Sequence, residues 1–106
     1  MNKPIERHIC PKFEKTFELL GRRWTGLIIR ILMEDPVRFG EIEQAIPGLS
    51  DRMLAERLKE LEAEGIVTRR VYPEMPVRIE YSLTEKGQSL AKALDPIQKW
   101  AEEHIH

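Results

Sequence analysis

A chain of 106 residues, of which 42% are hydrophobic and 33% charged, has the length of one domain, residues 1–106, and can bury a single core. We expect a cytoplasmic protein: Met1–Cys10 is charged, no stretch nears the ~18 apolar residues of a membrane helix, and the lone Cys10 excludes an internal disulfide or multi-cysteine zinc site. The net charge of −1 excludes a uniformly basic protein, but residues 1–30 carry seven basic against three acidic residues and residues 31–65 four against nine, so basic patches are local.

The first two predicted helices follow from proline, glycine and apolar spacing. Helix one begins at Pro11, which suits a first helical turn, and ends at Gly21. Helix two ends before Asp35-Pro36, because proline disfavours helical backbone in the residue that precedes it. We expect helix two to be the most buried, since its apolar residues recur densely at helical spacing. They are Trp24, Leu27, Ile28, Ile31 and Leu32.

A helix, a tight turn and a second helix are predicted next. Helix three covers Phe39 to Ile46, and Pro47-Gly48 breaks it. Ser50 offers a capping hydroxyl to helix four, and Gly65 ends that helix. The inward stripe of helix four consists of Leu54, Leu58 and Leu61.

A hairpin and a last helix complete the pattern. Residues 77–83 alternate between apolar and polar, which is typical of a strand with one wet face, and residues 66–72 pair with them. Thr84 caps the final helix, in which we expect Pro96 to produce a kink or a restart behind Asp95. This order predicts an α+β protein that is mainly α: a winged helix-turn-helix with additional N- and C-terminal helices.

Helix four is the candidate reader of a DNA major groove. With its leucines inward, Arg52, Glu56 and Lys59 point outward. Arginine can donate two hydrogen bonds to guanine, glutamate can accept one from cytosine, and Ser50 and Lys59 suit phosphates. The alternative is an ordinary solvated face. The residues predicted to bind DNA here are Ser50, Asp51, Arg52, Met53, Ala55, Glu56 and Lys59.

The hairpin is the candidate wing, because three arginines lie near a loop with few acidic residues. Guanidinium groups there can neutralise phosphates or enter the minor groove. Arg78 is the leading candidate, since it lies on the polar face of the clearest strand. In the alternative, the arginines pair with Glu74 and Glu80 in an ordinary strand pair. The residues predicted for the wing contact are Arg69, Arg70, Met75 and Arg78.

The two terminal helices carry more apolar surface than a small winged core absorbs, which predicts a homodimer. In the alternative, both helices pack only on their own domain. The residues predicted for the dimer interface are Phe13, Phe17, Leu90, Leu94, Ile97 and Trp100.

No catalytic residue, metal site or cofactor is predicted. The chain lacks a phosphate-binding glycine loop and a nucleophile motif, and Cys10 has no identifiable base. His8, His104 and His106 lack a metal-ligand spacing. We therefore expect a protein that is not an enzyme. The alternative to a DNA-binding regulator is a winged-helix module that binds another protein through the same faces.

Motifs from residue 10 to about residue 100 follow one family pattern in order. They include Cys10-Pro11, Gly21-Arg22-Arg23-Trp24-Thr25, Pro47-Gly48-Leu49-Ser50, Arg57-Leu58-Lys59-Glu60-Leu61-Glu62 and Leu83-Thr84-Glu85-Lys86-Gly87. The pattern resembles the HxlR-type winged helix-turn-helix regulators of bacteria, which are relatives of the MarR group. The resemblance implies a dimeric protein that binds a double-stranded DNA operator, with the first and last helices at the dimer interface and the fourth helix in the major groove.

The resemblance also implies a sensor role for Cys10. Some members of the family use a cysteine at this position to respond to quinones, aldehydes or oxidants. A helix start with Arg7, His8 and Lys12 nearby favours the reactive thiolate. The alternative is a small structural residue at a helix start. Because the chain has no second cysteine, a disulfide has to join two chains or capture a small thiol.

Overall fold

The computed structural model describes residues 7–106, which form five α-helices and a three-stranded antiparallel sheet. The elements are α1 Pro11–Leu20, α2 Thr25–Ile31, β1 Val37–Arg38, α3 Phe39–Ala45, α4 Asp51–Ala63, β2 Val67–Tyr72, β3 Arg78–Leu83 and α5 Glu85–His104. The mainly helical winged helix-turn-helix is confirmed, with one strand added. Residues 1–6 of the charged segment that argues against a signal peptide lie outside the described residues.

Helix α1 begins and ends at the predicted residues, but Gly21 ends it for another reason than expected. Its φ of −74° is right-handed, so the left-handed freedom of glycine is not used. A Cβ atom at this position would lie 2.7 Å from the carbonyl oxygen of Phe17, so the close approach of the chain excludes a side chain. The positive φ belongs instead to Trp24, at 81°, immediately before α2.

The core joins α2, α3, α4 and the sheet. Its fully buried side chains include Ile28, Ile29, Leu32, Ile42, Leu54, Leu58 and Leu61. The inward stripe of α4 is therefore confirmed. The prediction for α2 is wrong at Leu27, which is 54% exposed, whereas Ile29 is fully buried. Because the buried face of α2 centres on Ile28 and Ile29, Leu27 lies on the outer side.

The sheet contains a strand that the sequence pattern does not predict. Strand β1 pairs with β3, which lies between β1 and β2. Val37 is opposite Tyr81 and Arg38 is opposite Glu80. Two residues between Pro36 and α3 are too few to show alternation, so only the pairing defines this strand. The hairpin register, from Val67 opposite Leu83 to Tyr72 opposite Arg78, confirms the predicted strand pair.

Helix α5 starts at its predicted cap and continues further than expected. The Thr84 hydroxyl accepts a hydrogen bond from the Gly87 amide at 3.0 Å, which confirms the cap. The helix runs through Pro96 to His104, so of the two predicted outcomes the restart behind Asp95 is wrong, and the kink at Pro96 stays a prediction. Asp95 instead accepts a hydrogen bond from Arg30 of α2 at 2.7 Å. Within residues 7–106, no helix combines the length and the apolar character that crossing a membrane requires.

Candidate nucleic-acid interface

The turn between α3 and α4 places the first turns of α4 at the surface. Gly48 has a φ of 87°, a backbone conformation that favours glycine, and Leu49 beside it is buried. The Ser50 hydroxyl accepts a hydrogen bond from the Met53 amide at 3.1 Å, which confirms the predicted cap. Helix α4 therefore begins with a side-chain cap, and the outer side of its first turn faces solvent.

The outer face of α4 carries the three side chains expected there. Arg52, Glu56 and Lys59 are all exposed. The Nε atom of Arg52 lies 3.7 Å from Oε1 of Glu56, and the Arg52 side chain is 90% exposed. A surface ion pair of this kind contributes little to stability, so both side chains can turn to a ligand. The structure thus brings the predicted base-contacting residues onto one accessible face.

The other four residues predicted to bind DNA through α4 differ in their exposure. Asp51 and Ser50 are exposed at its start, and the Ser50 hydroxyl is engaged in the cap. Met53 and Ala55 are half-buried, and Met53 packs against the core. Their contribution to a DNA contact stays a prediction, at the edge of the face rather than at its centre.

The three arginines of the wing lie on different faces of the hairpin. Arg70 and Arg78 lie on the outer face, because Arg70 is opposite Glu80 and Arg78 is opposite Tyr72. Arg69 shares a face with the buried Val67, yet its side chain is exposed. Met75 is 99% exposed at the tip of the loop.

Arg78 has partners within the wing. Its Nη2 lies 3.1 Å from Oε1 of Glu74, and its Nη1 lies 3.4 Å from Oε2 of Glu80. Its guanidinium also lies over the ring of Tyr72. The alternative, in which the arginines pair with neighbouring glutamates, therefore holds for Arg78. Two carboxylates offset its charge, so its DNA contact stays a prediction and it is no longer the leading candidate.

Arg70 is the better placed cation of the wing. Its side chain is exposed. A hydrogen bond to the Tyr72 side chain raises the pKa of Arg70 above its ordinary value, and the charge of Tyr72 acts in the same direction. Like arginine side chains in general, Arg70 is cationic at neutral pH.

Arg38 is a candidate that the sequence analysis missed. It is exposed and lies opposite Glu80 from the β1 side, while Arg70 lies opposite Glu80 from the β2 side. The two arginines therefore flank one glutamate in a row across the outer face of the sheet. Only the pairing of β1 with β3 reveals this row, so no pattern in the sequence could have indicated it.

The six residues predicted for the dimer interface fall into two groups. Phe13, Phe17, Ile97 and Trp100 are exposed. Leu90 and Leu94 are partly buried and pack against the core of their own domain. For these two, the alternative of packing within the domain holds in part, because the inner side of α5 covers the core.

Cys10 is exposed at the N-terminus of α1. Cys10 directly precedes the first turn of α1 and has extended backbone (φ −64°, ψ 120°), while Phe13 and Phe17 form an apolar strip on one side of that helix. The centroids of those two rings are 4.8 Å apart. No group of three or more His, Cys, Asp or Glu side chains that could hold a metal ion occurs in the part of the chain that the structure describes.

Comparison with known proteins gives one consistent match. The model of the HxlR-like helix-turn-helix family matches residues 19–106. The chain is 56% identical over 100 residues to the uncharacterized HTH-type transcriptional regulator YvaP of Bacillus subtilis (strain 168), covering 94% of this chain and 93% of that protein. It is 55% identical over 95 residues to the HTH-type transcriptional regulator YodB of the same organism, covering 90% and 85%.

Solved structures extend the similarity to the fold. The reduced form of YodB from B. subtilis superposes with a TM-score of 0.81 at 52% identity, covering 93% of this chain and 97% of that one. The redox regulator HypR in its oxidized form gives a TM-score of 0.85 at 37% identity, covering 92% and 99%. YodB has also been solved after diamide treatment and in a quinone-bound form. The similarity therefore includes the terminal helices as well as the helix-turn-helix and the wing.

Proposed function

The chain belongs to the HxlR-like helix-turn-helix family of transcriptional regulators, and from that premise we propose that it binds double-stranded DNA as a homodimer. The observation that carries the proposal is the outer face of α4. Arg52, Glu56 and Lys59 are exposed there, while the opposite face is held by three fully buried leucines. A helix anchored on one side and polar on the other, directly after a tight turn, can enter a major groove.

Each exposed side chain has a distinct part in this proposal. Arg52 can donate two hydrogen bonds to a guanine, and Glu56 can accept one from a cytosine. Lys59, Arg70 and Arg38 neutralise phosphates and fix the register of the protein on the duplex. In this proposal Met75, which is exposed at the tip of the wing, contacts the neighbouring groove. Base contacts then come from α4, and most of the salt-dependent affinity comes from the cations.

The homodimer is supported by the apolar side chains that α1 and α5 leave exposed. A second copy of the chain that covers Phe13, Phe17, Ile97 and Trp100 removes this surface from water. A two-fold dimer also presents two copies of α4 to the DNA. Recognition helices of such dimers contact half-sites about one helical turn, ~34 Å, apart. We therefore expect a pseudo-palindromic operator.

Cys10 is proposed as the sensor of electrophiles or oxidants. The support is its exposure at the start of α1 and the similarity to YodB and HypR, whose structures include quinone-bound and oxidized forms. The Cys10 thiolate adds to a quinone ring carbon and forms a carbon–sulfur bond. The electron pair moves to a quinone oxygen, which takes up a proton. With diamide, two thiols form a disulfide while diamide is reduced to the hydrazine.

The source of the second thiol follows from the sequence. Each chain has one cysteine, so a disulfide joins Cys10 of two chains or joins Cys10 to a small thiol. Either product changes the N-terminus of α1, the helix that carries Phe13 and Phe17. We propose that this change alters the affinity for DNA, and that the protein acts in the cytoplasm without catalysing a reaction.

Selection from a random library of duplexes tests the proposal. The wild-type protein should enrich a pseudo-palindromic sequence from the library. Fluorescence anisotropy on that duplex should then give a linear fall of log affinity with log salt, with a slope of about −0.9 for each phosphate neutralised. If no duplex is enriched at low salt, the protein is not a DNA-binding regulator, and a winged-helix module that binds protein becomes the better proposal.

A further inference from the structure

Two hydrogen bonds join the segment between α1 and α2 to α4, and a third, within α4, connects their partners on that helix. Nε of Arg57 donates to the carbonyl oxygen of Arg23 at 2.8 Å, and Nη1 of Arg57 donates to Oε1 of Glu60 at 3.0 Å. Nη1 of Arg22 donates to the same Oε1 at 3.1 Å. These four residues, Arg22, Arg23, Arg57 and Glu60, are named the α1–α4 clamp. It joins positions that are more than 30 residues apart in the chain.

Within the α1–α4 clamp, Arg57 and Glu60 are better shielded from water than the Arg52–Glu56 pair of α4, whereas Arg22 is exposed. The Arg57 side chain is 13% exposed, against 90% for Arg52. Oε2 of Glu60 is buried and has no hydrogen-bond partner among residues 7–106. Charge-assisted hydrogen bonds in a shielded place are strong and demand one geometry. The clamp therefore holds α4 in a fixed position relative to the segment after α1.

Trp24 links the same segment to the turn of the helix-turn-helix. Its φ of 81° is unfavourable for a bulky side chain and persists only where the surroundings hold it. The Arg23 guanidinium covers the Trp24 ring at 4.4 Å. A Cβ atom at Gly48 would lie 3.5 Å from Cη2 of Trp24, so the ring is at the turn before α4. The segment after α1 therefore contacts both the turn before α4 and, through Arg57 and Glu60, the body of α4.

Helix α1 itself is attached to the domain at one end. None of its residues is buried, and its side chains that pack against the core are Leu19 and Leu20, in its last turn. Cys10, Phe13 and Phe17 are exposed. A displacement of the exposed half of α1 is therefore passed on at its C-terminal end, where the clamp begins.

We infer that Arg57 and Glu60 are positioning residues that set the orientation of α4 according to the position of α1. The inference rests on the proposed function, and it supplies the route by which a change at Cys10 or at the dimer face reaches the recognition helix. A packed element that links two sites has to occupy two discrete arrangements to couple them. The clamp connects the segment after α1 to α4, and a substitution at Arg57 or Glu60 breaks that connection.

The first test needs no DNA. N-ethylmaleimide alkylates the exposed Cys10, and hydrogen–deuterium exchange measures the protection of α4 amides with and without the label. We expect labelling to change α4 exchange rates in the wild-type protein. In Glu60→Gln, which keeps the shape but loses the charge shared by two guanidinium groups, the change should shrink by about threefold or more. The inference is overturned if labelling leaves α4 unchanged in the wild type, or changes both proteins equally.

A second variant and a matched control guard against a general loss of stability. Arg57→Lys keeps the charge but lacks the planar fork that reaches Arg23 and Glu60 together, so it should also weaken the response. Arg30→Gln breaks the 2.7 Å contact between α2 and Asp95 of α5 without touching α4. It should respond as the wild type does. If Arg30→Gln reduces the α4 exchange response as much as Glu60→Gln does, the inference is overturned. The response would then be lost whenever any contact between helices is weakened, and not through the clamp.

Binding to the selected duplex separates the inference from the proposed function. The measured quantity is the ratio of Kd with and without the label. For Glu60→Gln, the ratio of labelled to unlabelled Kd should be about threefold or more closer to one than for the wild type, whatever the unlabelled Kd of the variant. If the wild type binds no duplex, the proposed function fails and the exchange experiment still decides the clamp. If the wild type binds the duplex and its Kd ratio equals that of Glu60→Gln, the role of the clamp is overturned and the proposed function is not.

Discussion

The guanidinium of Arg78 lies 4.0 Å from the centroid of the Tyr72 ring, directly across the two strands of the wing. Glu74 and Glu80 complete the surroundings of this guanidinium. The wing is therefore ordered by its own side chains before any ligand arrives. Arg78 contributes to that order, while Arg70 and Arg38 keep their charges exposed on the same face.

The first prediction concerns the two outer arginines of the wing. Arg70→Ala should weaken binding to all duplexes and reduce the magnitude of the salt slope by about two, because each protomer of the dimer loses one phosphate contact. Arg78→Ala should change the slope less, since carboxylates already offset its charge. Anisotropy titrations over a salt series measure both. Lys92→Ala, an exposed cation of α5, is the control, and an unchanged slope in Arg70→Ala would exclude that residue from the interface.

The second prediction concerns Arg52 as a base reader. Arg52→Ala should remove the preference for one base pair in each half-site, which corresponds to about 1–3 kcal/mol of discrimination. Binding to unrelated duplexes should fall much less. Repeating the library selection with the variant measures the preference. A selected sequence identical to that of the wild type would show that Arg52 does not read a base.

The third prediction concerns Cys10. Cys10→Ser should bind the selected duplex as the untreated wild type does, and this binding should resist quinone and diamide. In the wild type, intact-mass analysis should show one quinone adduct per chain. Diamide should give either a chain-to-chain dimer or a mixed disulfide, because the chain has one cysteine. If Cys10→Ser still loses DNA binding on treatment, the thiol is not the switch.

The fourth prediction concerns the assembly. Phe17→Glu should convert the dimer to a monomer, because the substitution places a charge in the apolar strip of α1. Val71→Glu makes the same change on an exposed apolar side chain of the wing, outside α1 and α5, and should leave the dimer intact. Sedimentation velocity at micromolar concentration distinguishes the two. A monomeric wild type under these conditions would rule out the homodimer.

The fifth prediction tests the corrected core. Leu58→Ala should lower the free energy of unfolding by about 2–5 kcal/mol, because the side chain is 1% exposed and its loss leaves a cavity. Leu27→Ala should lower it by less than about 1 kcal/mol, because the side chain is 54% exposed and little packing is lost. Urea denaturation at equal protein concentrations measures both, since dimerisation makes stability depend on concentration. Equal losses would contradict the exposed position of Leu27.

Much of the fold could be predicted because its determinants are local. Pro11 and Gly21 bound α1, the Ser50 hydroxyl caps α4, and alternation in residues 77–83 indicates β3. Each of these rules acts within about one helical turn or between neighbouring residues. The same holds for the outer face of α4, since three inward leucines fix by geometry which residues point outward.

The buried face of α2 and the contacts of Arg78 in the wing could not be predicted from local rules. Helical spacing gives the angles between Leu27, Ile28 and Ile29, but it does not say which of them faces the core. The packing of α2 against α3 and α5 decides that, and Ile28 and Ile29 are buried. Likewise, alternation places Arg78 on the polar face of β3, but only the folded hairpin brings its guanidinium onto Tyr72 and beside two carboxylates.

The sequence by itself therefore determined the winged helix-turn-helix, its capped recognition helix and the exposed positions along that helix, because caps and periodicity are short-range properties. Only the tertiary structure decided that Arg38 joins the outer row of the sheet and that Arg57 and Glu60 hold the segment after α1. Those contacts join residues that are 34 to 42 positions apart. No periodicity extends that far, so packing of the whole domain selects the partners.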